Sequence, residues 1–426
     1  SAVLSMARSM SWLVYVLVAA TDCSAPVESC RQTSAAAASG AAGSLVIASV
    51  QPITLVLSDA TLTVDTLAMS TPGEFLLDLN NAQIDAASFS IDAGSFVLPA
   101  VVPANPGTVT VTDFFSLTAT GPSGAVRSYA NFVSQNTASV SAADSIVLGD
   151  IDIAGLFDAS SQTGSVTVGN VVAGSANLTA QGDVQAGNVT VATDFNAFSN
   201  LGSVVVGTVD AQSVDLSGAT DVTAARINAA AIAANAGGTL NVTGVWTSPA
   251  ITISANDIEI PATGALSAGA TGFVDILTTN AAGAFVGDGL TSPTGFRLGN
   301  AEFGRISGNQ IFLGVSDRTN EVDLTIGALT LSSNQLPGLD GEFTFATGNS
   351  ESFLPGGRIR IEGAMTGTGF SPTQYLSFAT GSFELNAETG SIALAGSGPG
   401  GLGGIVEIEA ANIHFASPAI LTRLRA

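Results

Sequence analysis

The chain contains no lysine, and its 11 arginines face 34 aspartates and glutamates, giving a net charge of −23 over 426 residues. So little positive charge argues against nucleic acid or anionic membrane as a partner, since both need a basic footprint. Charged residues of either sign make up only 11% of the chain, yet the apolar content of 46% is too high for a disordered polymer. Aromatic polar residues are scarce, at two tryptophans and three tyrosines, which leaves few platforms for stacking sugars. The single histidine, His414, lies far from the only cysteines, Cys23 and Cys30, so no His/Cys metal set is available. No apolar run reaches the ~20 residues that span a bilayer. The nearest, "WLVYVLVAA" from Trp12 to Ala20, reads either as a buried strand or as the core of a secretion signal with Arg8 as its basic flank. Cys23 and Cys30, in "CSAPVESC", are close enough to clip a small loop by a disulfide in an oxidising compartment.

What the chain has in quantity is valine, alanine, threonine, serine and glycine, and it repeats them. The stretch "GSVTVGNVVAGSANLTAQGDVQAGNVTVA" from Gly164 aligns without a gap with "GSVVVGTVDAQSVDLSGATDVTAARINAA" from Gly202, with 13 of 29 positions identical. Each half contains two shorter units. Six of these begin at Ile146, Val166, Val184, Val204, Val222 and Leu240, in steps of 20, 18, 20, 18 and 18. Self-similarity at a fixed short period is the mark of a solenoid. In each unit the first, third and sixth positions are aliphatic. The sixth column reads Ile151, Val171, Val189, Val209, Ile227, Val245. The second position is mixed, which is the two-residue period of a strand with one buried face. The fourth is usually Gly and the fifth usually polar, as at Gly169-Asn170 and Gly187-Asn188, and together they mark a corner between two short strands. Apolar spacing of two, corner glycines and β-branched side chains all oppose a helix. The fold class expected is therefore all-β, a right-handed parallel β-helix with about 18–20 residues per coil, like side chains stacking at about 4.8 Å.

Outside the six units the period loosens. Upstream, "LTVDTL" at Leu62, "IDAASF" at Ile84 and "VTVTDF" at Val109 fit at steps of 22, 25 and then 37 to Ile146. Downstream, "ITISANDIEI" from Ile251, "RIRIEG" from Arg358 and "IVEIEAANIHFA" from Ile405 alternate, which places Ile359 and Ile361 inward and Arg358, Arg360 and Glu362 outward. The organisation expected is an N-terminal segment over 1–44 and a parallel β-helix over 45–426, with looser, loop-rich coils at 262–357. Stretches 262–310 and 332–357 read as loops leaving the coil, and "AGSGPGGLGG" from Ala395 as an excursion. Coiled throughout, the chain would hold roughly 20 turns.

Catalytic chemistry is hard to assemble from this inventory. Carboxylates occur, as in Asp150, Asp152 and Asp158 or the equivalent Asp183 and Asp221, but the last two recur because the coil recurs, and they read as corner residues. A lyase needs a basic group beside clustered acids, whereas Arg297, Arg305 and Arg318 are scattered. His414 alternates with Ile413 and Phe415 and reads as outward-facing. No phosphate-binding loop, dinucleotide fingerprint, nucleophile elbow or calcium nonapeptide occurs in context. Asn177, Asn188 and Asn241 match the glycosylation pattern, which a coil rich in Asn and Thr produces by chance. Trp246, placed by the column count on the outer face, stands as the best isolated ligand contact.

The units "VTVGNV…NLTAQGDVQAGNVTV" and the closing "GGIVEIEAANIHFASPAIL" resemble the repetitive shafts of large bacterial exoproteins of the filamentous haemagglutinin type. The resemblance implies a right-handed β-helix exported through an outer-membrane transporter of a Gram-negative cell. It also implies an extracellular, cell-surface role in adhesion or biofilm. The "NPNG"-like motif of that family's secretion domain has only "ANPG" at Ala104 as a counterpart, so the chain is expected to be an interior or C-terminal portion. The function expected is a non-enzymatic adhesin shaft without cofactor, contacting host or neighbouring-cell surfaces or glycans. Two alternatives stand beside it: a polysaccharide-active β-helix or tailspike, and a surface-layer or filament subunit associating end to end.

Overall fold

The valines of the repeat lie in parallel register. Val166 sits opposite Ile146 on one side and Val184 on the other, and Val184 sits opposite Val204. All four are buried. This is the arrangement in the computed structural model of the chain, which describes residues 42–99, 105–290, 295–315, 322–347, 357–386, 388–396 and 404–415. The chain is a parallel β-solenoid of about 15 turns. The segment Trp12–Ala20, both cysteines, Arg318 and most of the glycine-rich stretch after Ala395 lie outside the described residues.

The chain divides into two units, Ser1–Gly207 and Thr208–Ala426. In the first, one inward column runs Leu62, Ile84, Val109, Phe132, Ile151, Val171, Val189. The step of 37 residues from Val109 to Ile146 is thus not one loosened coil. It conceals a layer, strand Asn131–Ser134, whose Phe132 fills the column. A second column runs Leu67, Phe89, Phe115, Ala138, Phe157, Ala176, Phe195. Large and small residues alternate through its upper part, which lets each ring occupy space that an alanine leaves. Phe89 stacks on Phe115 with ring centroids 5.7 Å apart, and Phe115 meets Phe132 at 5.0 Å.

The corners follow from close approach, not from unusual dihedrals. Gly149, Gly169, Gly187 and Gly207 have no positive φ. A Cβ on Gly187 would meet the Asn170 side-chain oxygen at 2.9 Å and the Gly169 carbonyl oxygen at 3.0 Å. The bare backbones instead stack: Gly187 N–H donates to Gly169 O at 2.9 Å, and Gly207 N–H to Gly187 O at 3.0 Å. The polar residue that follows caps the next layer. Asp150 Oδ1 accepts the Asn170 amide N–H at 2.7 Å, and Asn170 Oδ1 accepts that of Asn188 at 3.0 Å. Each corner side chain thereby satisfies a backbone donor that a turn leaves exposed.

In the second unit Val222 stacks on Leu240, and Ala224 on Val242. Val209 and Ile227 are buried as expected. Towards the C-terminus the coils lengthen: Phe273 pairs with Gln310, 37 residues on, Gln310 with Glu342 and Glu342 with Tyr375. Longer coils lower the expected count of roughly 20 turns to about 15. The stretches 262–310 and 332–357 also differ from the expectation of loops. They contain coil strands Ala265–Ser267, Phe273–Thr278, Ala284–Val286, Phe296–Leu298 and Glu342–Thr347. The core here is aromatic, with Phe345 stacked on Phe303 and Phe378 at 5.8 Å each.

Candidate functional site

The inward columns hold, with one exception that moves the expected ligand contact. Trp246 is fully buried and Val245 is 44% exposed, the reverse of the expected orientation. Trp246, not Val245, pairs with Ile227. The cause is a single residue. Inward positions in the preceding coil are Val222, Ala224 and Ile227, and in this coil Leu240, Val242 and Trp246, so the corner Thr243-Gly244-Val245 is one residue longer and inverts the alternation after it. Gly244 makes that corner feasible, because a Cβ there would lie 1.9 Å from the Ala225 carbonyl oxygen. The indole N–H donates to Ala224 O at 3.4 Å, so Trp246 is a core residue with its one polar atom directed at backbone.

The carboxylates of the repeat are structural. Asp183 Oδ1 accepts the Ser203 amide N–H, and Asp221 Oδ1 the Thr239 amide N–H, both at 2.8 Å. They do the same work at equivalent corners. Among the described residues, no group of three or more His, Cys, Asp and Glu is placed to hold a metal ion.

Outward chemistry gathers on two faces of the second unit. On strand Arg358–Ile361 the isoleucines point inward and the arginines outward, as the alternation implies. Arg358 pairs with Asp323 at 2.6 Å and with Glu384 at 3.3 Å, and Arg360 with Glu384 at 3.3 Å and Glu362 at 3.4 Å. Glu384 is thus shared between two guanidinium groups, and the exposed His414 stands opposite it in the next strand. Hydrogen bonding to Asp323 raises the Arg358 pKa further, so that charge is fixed. These pairs are partly exposed, and each contributes at most about 1 kcal/mol.

The other face lies on the strands Phe273–Thr278, Gln310–Val315, Glu342–Thr347 and Tyr375–Leu385. Its outward rows read Phe273, Gln310, Glu342, Tyr375 and Asp275, Phe312, Thr344, Ser377. One carboxylate oxygen of Asp275 and the Ser377 hydroxyl are enclosed without a hydrogen-bond partner. Burial raises the Asp275 pKa above its ordinary 3.8. Arg297 and Arg305 belong to neither face: Arg297 is outward on its strand, and Arg305 donates to the Ile260 carbonyl at 2.5 Å.

The desolvated carboxyls make a pH prediction. Burial raises Asp78 and Asp158 as well as Asp275. A folded-state pKa above the unfolded one means that folding favours the protonated form. The associated stability is complete below the unfolded value and is lost as pH rises through the folded one. The thermal midpoint, followed by circular dichroism, should therefore rise as pH is lowered from neutral to about 4.5. Asp275→Asn should flatten that rise. A midpoint that fell steadily on acidification would contradict the assignment.

Compared with protein-family models, with curated proteins and with solved structures, the chain matches none.

Proposed function

We propose that the chain is a shaft segment of an extracellular bacterial adhesin of the filamentous haemagglutinin type, a non-enzymatic scaffold that holds contact surfaces away from the cell. The observation that carries this reading is the outer surface of the first unit. There the coils repeat small polar or aliphatic side chains in register, as in Val147, Thr167, Gln185, Val205 and in Asp158, Asn177, Asn196. Asn196 Nδ2 donates to Asn177 Oδ1 at 2.8 Å, so these amides bond to each other along the stack. Side chains committed to their counterparts above and below serve the rod, and they leave the surface chemically quiet.

A polysaccharide-active β-helix is the second reading. It is favoured by the outward face on which the desolvated carboxyl of Asp275 lies two residues from Phe273 and opposite Phe312 of the next coil.

Beads coated with the full chain separate the two. As a shaft of an adhesin it should attach beads to bacterial cells or to a host-cell monolayer, about tenfold or more above albumin-coated beads, because many weak contacts act together. Attachment at the albumin level on both surfaces would overturn the adhesive reading. So would time-dependent release of reducing ends from a polysaccharide panel, with loss of that activity in Asp275→Asn.

A further inference from the structure

The second unit contains a cavity of about 460 Å³ lined by Asn300, Arg305, Ser307, Thr330, Ser332 and Asn334, with Gly304 and Gln335 completing the wall. That volume is within the range of small-molecule sites, but the lining departs from the usual apolar one. Among the described residues every side chain of the wall is polar and none is acidic, in a chain with three times as many acidic as basic residues. Among them Arg305 is the only charged one, and it forms no ion pair with a carboxylate.

The wall is built before any ligand arrives. The segment Asn300–Phe303 is a short helical turn, and strand Ile306–Ser307 follows it. The turn is clamped to the coil at both polar groups of Ile260: Arg305 Nη1 donates to its carbonyl at 2.5 Å, and its N–H donates to Glu302 Oε1 at 3.2 Å. Opposite lies Leu329–Ser332, followed by the turn Ser333–Gln335. Buried Gln335 ties the two sides together. Its Nε2 donates to Phe303 O at 2.8 Å and Ile306 O at 3.2 Å, and its Oε1 accepts Ser332 N–H at 3.0 Å.

These bonds decide which groups face the cavity. Asn300 Oδ1 is taken by the Thr330 N–H at 2.7 Å, so its NH₂ is the free end. Ser332 Oγ accepts the Asn334 N–H at 3.2 Å and keeps its own proton to give. The Arg305 guanidinium has five N–H donors, of which the Ile260 carbonyl takes one. Ser307 Oγ donates to Leu266 O and Ser267 Oγ, both at 3.4 Å, and so offers its lone pairs. The result is a site with one positive charge, further donors on Asn300 and Ser332, and several hydroxyls. Its chemical complement is an anion carried on a hydroxylated body.

We propose that this cavity binds an acidic sugar of the uronate class, its carboxylate on Arg305 and the Asn300 NH₂, its hydroxyls on Ser307, Thr330, Ser332 and Asn334. The site stands on its own geometry and does not depend on the adhesive reading. Titrations of the full chain with glucuronate, galacturonate, glucose and inorganic sulfate, followed by saturation-transfer NMR and calorimetry, test it. Uronate should bind about tenfold or more tightly than glucose, since only it offers a charge-assisted hydrogen bond to Arg305. Asn334→Asp should weaken uronate by a similar factor with an unchanged thermal midpoint, because Asn334 is exposed and takes no part in the clamp. Arg305→Gln should abolish the preference over glucose. Equal binding of uronate and glucose, no detectable uronate binding, or indifference to both substitutions would overturn the proposal. Sulfate bound as tightly as uronate would overturn the sugar assignment and leave a bare oxyanion site.

Discussion

Trp246→Ala is expected to destabilise the chain by about 3–5 kcal/mol, the cost of removing a large aromatic from a core that cannot collapse around the void. Trp246 is fully buried, stacks on Ile227 below and Leu266 above, and spends its N–H on the Ala224 carbonyl. Truncation removes all three contacts, while the Ala224 carbonyl keeps the Thr243 N–H and hydroxyl as donors, so the cost is one of lost packing. A surface tryptophan replaced by alanine would shift stability by no more than about 0.5 kcal/mol. Denaturant unfolding in urea distinguishes the two cases, and a loss below about 1 kcal/mol would return Trp246 to the outside of the coil. Val245→Ala, one residue earlier and 44% exposed, serves as the internal control and should be nearly silent.

Val189→Asp should cost a similar ~3–5 kcal/mol, by a different route. Val189 is 1% exposed and lies in register with Val171, itself buried on Ile151. A carboxylate there has no cation and no free donor within the column. It must either lose its hydration or force the proton to stay on. Thr190, the next residue, faces out, and Thr190→Asp should change stability by only about 0.5 kcal/mol. Equal melting of the two variants would mean that inside and outside have been exchanged along this strand.

The contrast between Val189 and Trp246 also shows how far a sequence of this type can be read. Between Ile146 and Val189 each coil keeps the same spacing across its corner, so counting along the chain gives the right side chain inside. At Thr243-Gly244-Val245 the corner gains a residue, and counting then gives the wrong one. Nothing in the apolar pattern marks that addition, since Val245 and Trp246 are both apolar. Phe132 was hidden for a related reason. Its neighbours in "RSYANFVSQN" do not carry the Gly-Asn corner, although Phe132 occupies the same column as Val109 and Ile151.

The column Phe89, Phe115, Ala138, Phe157, Ala176, Phe195 is invisible to a search for like residues, because it is kept by complementary size and not by identity. The polar cavity had no linear signal either. Asn300 and Thr330 are 30 residues apart and meet only because a long coil brings the helical turn Asn300–Phe303 beside the strand Leu329–Ser332. What the pattern did carry was period and inward face. What it could not carry was where a coil is lengthened, which is where the distinctive chemistry of the second unit resides.

The regular step between Val166 and Val184, 18 residues with the backbone register unchanged, has a genetic consequence. Excise one such module and Val184 comes to rest on Ile146, with valine replaced by valine at the join. The second column sets the size of the step: removing one module alone would put Phe195 directly on Phe157, and copying it alone would put alanine on alanine. Recombination between near-identical coding segments can therefore add storeys in pairs with both columns kept in step. The number of layers becomes a trait that selection can adjust two at a time.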